Sequence, residues 1–248
     1  YNPTDAGRAV QAFLETLSNW YVRRSRRRFW KRANDADKMA AYATLYYCLV
    51  TLSKLLAPLT PFVAEEMYQN LVRSVDPQAP ESVHLADYPE AELTSVDRRL
   101  MENTRLVMRV ASMGRAARSK AGIKVRQPLA EVLVKPRSPQ ERESLERLSS
   151  QITDELNVKA LRILERDEEV VDYSVKPNLP VLGPKYGKEL PRIVAALRAM
   201  DPSSVAIAQR RGQNLTLDGF SILPEEVLVE ASPKAGFAVA QDSDMLVA

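Results

Sequence analysis

Positions 23–28 hold five arginines in six places, with Trp20 and Tyr21 just before them and Phe29 and Trp30 just after. Guanidinium forks match phosphate oxygens in pairs and stack on flat rings, so the string suits a folded nucleic acid. Five cations in a turn and a half of helix also repel one another unless phosphates or carboxylates surround them. That leaves an interdomain salt-bridge network as the other reading. At 100° per residue the five spread over an arc of roughly 200°, too wide for one flat nucleic-acid face, so some must contact protein. Arg28 points nearest the apolar stripe and is the candidate for a carboxylate partner; Arg23, Arg24 and Arg27 form the ligand face. Lys31 extends that face, and Trp20 and Trp30 either position the helix or stack.

A second basic segment carries Arg115, Arg118, Lys120, Lys124 and Arg126. It suits RNA backbone or interdomain contact, although cations near a helix C-terminus also answer the helix's negative pole. Two basic zones so far apart in sequence hint at one composite groove. No catalytic constellation is visible. The lone His84 lacks a second histidine or a paired cysteine, and Cys48 is the single cysteine, so a metal site is not expected. In Glu65-Glu66 and Asp154-Glu155, adjacent carboxylates on a helix point about 100° apart and suit solvent or arginine partners rather than a shared substrate. No Gly-rich phosphate loop, zinc spacing or nucleophile elbow occurs, so the expectation is no catalytic and no metal-ligating residue. The Pro-, Gly- and Lys-rich stretch 176–188 reads either as a phosphate cradle or as a turn-rich connector.

Charge is segregated along the chain. Residues 1–34 hold 8 Lys/Arg against 2 Asp/Glu, and residues 98–137 hold 11 against 2. Residues 138–172 hold 5 against 10, and residues 201–248 hold 3 against 7. A polyanion would therefore meet the first half rather than the second. With 45% apolar residues over 248 positions, the chain is globular and long enough for two domains. No uninterrupted apolar run approaches the roughly 18 residues of a membrane span. The expectation is a soluble, cytoplasmic protein without a membrane partner, and a single cysteine fits a reducing compartment. The missing initiator methionine, the turn-like start and the strand-like end read as a piece of something longer.

Apolar spacing predicts a first helix capped near Asn2 and running to about Ala33, with Val10, Leu14, Leu17 and Tyr21 on its buried stripe. Residues 34–37 cap a second helix over 38–56, and Pro61 opens a third that runs to about Val75. A fourth, from about Thr94 to Gly122, turns Arg98, Arg105, Arg109, Arg115 and Arg118 largely away from its core. Together these read as an antiparallel bundle. After Pro128 the period changes. Strands at 129–135 and 160–164 flank a helix over 139–156, then come a strand at 170–175, a helix at 190–200 and short strands at 215–217, 226–230 and 237–240. The fold expected is mainly α, an antiparallel helical bundle over residues 1–125 followed by a smaller α+β domain over 126–248.

In order along the chain, several motifs resemble one family. The run Leu-Ser-Asn-Trp-Tyr-Val-Arg-Arg-Ser-Arg-Arg-Arg-Phe-Trp over 17–30 is followed by Leu-Thr-Pro-Phe-Val-Ala-Glu-Glu-Met-Tyr over 59–68 and Ser-Val-His-Leu over 82–85. Then come Ile-Lys-Val-Arg-Gln-Pro-Leu over 123–129, Asp-Glu-Leu-Asn-Val-Lys over 154–159 and Leu-Gly-Pro-Lys-Tyr-Gly over 182–187. These are similar to the anticodon-binding region of the isoleucyl-tRNA synthetases, which are class I aminoacyl-tRNA synthetases; the valyl and leucyl relatives share the bundle but not the 17–30 string. The resemblance implies a parent that uses ATP to activate isoleucine and transfers it to its tRNA. The family's ATP-site motifs and editing domain are not in this segment, so no cofactor is expected in it and activity on its own is doubtful. Its implied partners are isoleucine tRNA and the catalytic domain of the same enzyme. On that reading Arg23, Arg24, Arg27, Lys31, Arg115, Arg118, Lys120 and Lys124 contact the RNA backbone, with Trp20 and Trp30 positioning the helix or stacking. The alternative is a structural module that docks the catalytic domain and has only non-specific RNA affinity.

Overall fold

The computed structural model describes residues 2–242 and 245–248, the Arg210 side chain excepted. It divides into two compact units, Tyr1–Val96 and Asp97–Ala248, and it is mainly helical with its sheets in the second.

In the first unit, α1 (Pro3–Thr16) begins where the Asn2 side chain accepts the Thr4 and Asp5 N–H groups, filling two of the donors a helix start leaves open. The helix continues through a π-helical stretch, Leu17–Val22, into α2 (Arg23–Phe29). The plain α-helix expected to run to Ala33 is therefore not what forms. A π turn takes up about one residue more than an α turn, which swings the arginines beyond it by on the order of 100° relative to α1. The expected buried stripe also fails over α1, which buries none of its residues; Leu17, in the π turn, is buried.

α3 (Ala36–Leu56) starts at Asp35, whose carboxylate accepts the Lys38 N–H at 2.8 Å. Two aromatic contacts clamp α2 to it: Tyr21 donates its hydroxyl to the Ala41 carbonyl at 3.0 Å, and the Phe29 ring lies 5.0 Å from that of Tyr42. α3 is long and apolar enough to cross a membrane by length and composition alone, a property that counting uninterrupted apolar runs overlooks. α4 (Pro61–Tyr68) also ends in a π turn, Gln69–Arg73. Glu65, expected to face solvent or an arginine, instead accepts from Ser82 Oγ at 2.8 Å and the Val83 N–H at 2.9 Å. It fixes the loop that carries His84.

The second unit opens with α5 (Arg98–Lys120), capped by Asp97 rather than starting at Thr94. Then come β1 (Leu129–Lys135), α6 (Pro139–Arg147), α7 (Ser149–Leu156) and β2 (Val158–Ile163). β3 (Val171–Pro177), α8 (Leu179–Tyr186), α9 (Leu190–Ala199) and α10 (Pro202–Arg210) come next, and the chain finishes with β4 (Leu215–Leu217), β5 (Phe220–Ile222), β6 (Val227–Pro233), β7 (Ala240–Asp242) and β8 (Met245–Val247). One sheet has the order β2-β1-β8-β7, with β1 and β2 parallel as the βαβ pattern predicts. β3 pairs with β6, and β4 turns into β5 through Asp218 and Gly219, both at positive φ, the geometry a two-residue hairpin needs.

The compact units part at Val96 and Asp97, not at the expected 125/126 boundary, because α5 packs against α6 and α7. Gly114 sits so close to α7 that a Cβ there would collide with the Leu156 methyls. The single helix expected over 139–156 is broken at Leu148, whose φ of −105° and ψ of 17° leave helical geometry. α8 occupies the 176–188 stretch read as cradle or connector; Pro180 lies in its first turn, where no N–H is needed. The strand expected at 237–240 is irregular until Ala240.

Candidate nucleic-acid interface

In the first unit α2 presents its arginines from a helix held by Tyr21 and Phe29. Arg28 is the structural one, as its wheel position implies: its Nε donates to the Asp37 carboxylate at 2.8 Å and its Nη2 to the Asp37 carbonyl at 3.0 Å. Lys31 lies 2.7 Å from Asp37 and 3.3 Å from Asp35. Donating to Asp37 and then to Asp35 raises the Lys31 pKa, and accepting from Lys31 lowers that of Asp37. Lys31 is thus already partnered within the chain.

The Arg23 Nε donates to the Asn19 carbonyl at 2.9 Å, and the Arg24 guanidinium sits 5.1 Å from the centre of the Trp20 ring. Trp20 is half-buried and positions Arg24 by a cation–π contact. Trp30 behaves differently: it is 77% exposed, so Phe29 and Tyr21 anchor the helix and Trp30 offers a free ring face. Arg26 and Arg27 are exposed and make no ion pair among the described residues. Sequence reasoning misses Arg26, since the π turn that re-aims it leaves no mark in apolar periodicity.

The second basic segment is used differently. Arg118, expected on the RNA backbone, is only 5% exposed. Its guanidinium donates to the carbonyls of Lys124 at 3.2 Å, Gln127 at 2.9 Å, Leu156 at 2.6 Å and Asn157 at 3.2 Å. One side chain thereby ties the 123–129 and 154–159 motifs together and satisfies the C-terminal carbonyls of α7. Burial pulls the Arg118 pKa down, and no face is left for phosphate. Asn157, at φ 51°, adds to the same joint by donating to the Val125 and Arg126 carbonyls.

Arg115 reaches Glu155 at 3.3 Å, the carboxylate partner expected for one of that acidic pair. Lys120 donates to the Val239 carbonyl at 3.3 Å. Lys124 is exposed and has no ion pair among the described residues. Among the described residues no group of three His, Cys, Asp or Glu is placed to hold a metal ion. His84 is exposed and its N–H is held by Ser82 Oγ at 3.2 Å, a loop contact rather than a reactive one.

Residues 1–134 match the family described as the anticodon-binding domain of tRNA ligase. Over its whole length the chain is 47% identical to the isoleucine–tRNA ligase of Thermus thermophilus and 44% identical to that of Deinococcus radiodurans. Over 66% of its length it is 64% identical to the isoleucine–tRNA ligase of Dehalococcoides mccartyi. The chain spans 24%, 23% and 16% of those three relatives.

Proposed function

The chain belongs to the anticodon-binding domain family of tRNA ligases, and from that premise we propose that it grips the anticodon region of isoleucine tRNA as part of an isoleucine–tRNA ligase. In this reading the longer protein is cytoplasmic, uses ATP to activate isoleucine and joins it to the tRNA; the present segment holds the RNA and performs no chemical step.

The observation that carries the reading is the surface of α2. Arg26 and Arg27 are exposed and make no ion pair among the described residues, beside Arg23 and Arg24, on a helix clamped by Tyr21 and Phe29. Cations held apart from anions on a rigid support release counterions when phosphates replace water. Backbone contacts are assigned to Arg23, Arg24, Arg26 and Arg27 in the first unit and to Lys124 in the second, with Trp30 stacking on a base or ribose. Lys31, Arg115 and Lys120 would have to exchange an internal partner for a phosphate and contribute less. Binding of isoleucine tRNA across a salt series tests this: a steep slope that flattens in Arg26→Ala/Arg27→Ala supports it, and an unchanged slope in that double variant sinks it.

A second reading, docking onto the catalytic domain of the same ligase, is favoured by α1, which carries Phe13 and Leu14 yet buries nothing. A catalytic part added in trans that binds wild type but not Phe13→Ser/Leu14→Ser would support docking.

A further inference from the structure

β8 lies between β1 and β7 in its sheet, and its pairing with β1 stops partway along that strand. Val134 and Lys135 face Val247 and Leu246, and Leu133 and Ala248 exchange both backbone hydrogen bonds at 2.9 Å. β1 nevertheless begins at Leu129, so residues 129–132 run along β2 on one side and, among the described residues, meet no strand on the other. A cavity of about 330 Å³ lies there: residues 129–133 line one side, residues 236–238 the other, Gly114, Ala117 and Leu156 line it from the helices, and Ala248 stands at its end. Successive residues of a strand turn their N–H and C=O to opposite edges. Glu131 therefore looks into the cavity as Leu133 looks to Ala248. On the far side Ala240 pairs with Val247, and by the same alternation Ala238 looks in; its N–H and C=O have no partner among the described residues. The strand predicted at 237–240 forms only from Ala240, the behaviour of an edge with nothing to pair against.

We propose that this cavity is a strand slot, filled by the residues joined to Ala248 in the longer ligase, which continue β8 between β1 and residues 236–238. Open backbone edges are templates for a further strand. Direction selects the occupant: β8 runs antiparallel to β1, so chain leaving Ala248 along the same line passes Val132, Glu131 and Ala130 in turn. A segment from elsewhere would have to stop against Ala248. Residues opposite one another in a sheet share a face, and Leu133, Phe237 and Ala248 pack in one cluster on one face. The first residue after Ala248, opposite Val132 and Ala238, therefore turns to the other face, where Gly114, Ala117 and Leu156 line the cavity, and an apolar side chain suits it. The second residue exchanges hydrogen bonds with Glu131. This inference rests on the reading of the chain as part of a longer ligase, and not on tRNA binding.

The test compares backbone hydrogen exchange, read by NMR on ¹⁵N-labelled protein, in the 248-residue chain and in the same chain lengthened by the next six residues of its ligase. The Glu131 and Ala238 amides should exchange about a hundredfold more slowly in the lengthened chain, as open edges become sheet interior. Proline as the second added residue removes the N–H that faces the Glu131 carbonyl and breaks the ladder there, so Glu131 should return to fast exchange. Unchanged exchange at both amides on lengthening, or equal slowing with the proline in place, overturns the proposal. Slowing in the 248-residue chain that grows with its concentration gives the slot to a second copy and overturns it too. A steep tRNA salt slope with Glu131 unchanged defeats the slot alone; a flat slope with Glu131 slowed defeats the tRNA reading alone.

Discussion

In the first unit the arginines of α2 stand on a helix whose aromatic residues do the anchoring; Asp37 takes Arg28, Asp35 and Asp37 take Lys31, and Arg26 and Arg27 make no ion pair among the described residues. In the second unit the basic residues from Arg115 to Lys120 are held by the protein: Arg118 is buried among four carbonyls, Arg115 meets Glu155 and Lys120 meets Val239. The two are alike as strings of cations. What separates them is what lies within reach. The end of α5 meets the carbonyls ending α7 and the turn before β1, and those acceptors draw an arginine in. α2 is held through Tyr21 and Phe29, which fix the backbone and leave the Arg26 and Arg27 guanidiniums exposed.

The sharpest way to break this comparison is Arg118→Met. It strands several buried carbonyls, and unfolding by urea should show a loss of about 3 kcal/mol or more; a near-neutral variant would mean that Arg118 is not the joint described. Gly114→Ala comes next. The new methyl meets Leu156 at a closely packed crossing of α5 and α7, so a loss of about 1–3 kcal/mol is expected, and none would remove the reason for α5 belonging to the second unit.

Arg26→Ala/Arg27→Ala should leave stability within about 0.5 kcal/mol. In binding, the slope of log affinity against log salt should fall by about 1.5–2 for two lost phosphate contacts. Stability that falls while the slope stays fixed would make the first segment structural too.

Acid gives a gentler probe of the inward-turned pairs. Burial opposes ionisation of Glu226, but hydrogen bonds from Lys185 and the Leu223 N–H outweigh it, and its pKa lies below the ordinary value. A carboxylate lowered in the folded state stabilises fully above its unfolded value and ceases to do so as pH falls through the folded one. Unfolding measured between neutral pH and acid should therefore show a stability loss below the usual carboxylate range that is smaller in Glu226→Gln; parallel curves would contradict the pairing. The smallest effect is expected for Lys124→Ala, which should reduce the salt slope by about 1 without altering stability.

Much of the scaffold was legible from local chemistry. β1 lies at the predicted 129–135 because a run of alternating and branched residues comes after Pro128, and Asp35 caps α3 because its side chain precedes an apolar helical run. The Arg28 carboxylate pair followed from its place on the wheel. The π turn at Leu17–Val22 was not legible, since its six residues satisfy α-helical spacing equally well. Neither was the fate of Arg118. A helical wheel places it by angle, but its acceptors come from residues 124–127 and 156–157, which only tertiary packing brings near.

The most direct test of the central claim is isoleucine tRNA binding over one salt series by wild type, Arg26→Ala/Arg27→Ala and Arg115→Ala/Lys120→Ala, each checked for folding. The account predicts a clearly flattened slope for the first double variant and a nearly unchanged slope for the second. Equal flattening in both, or flattening only in the second, would contradict it.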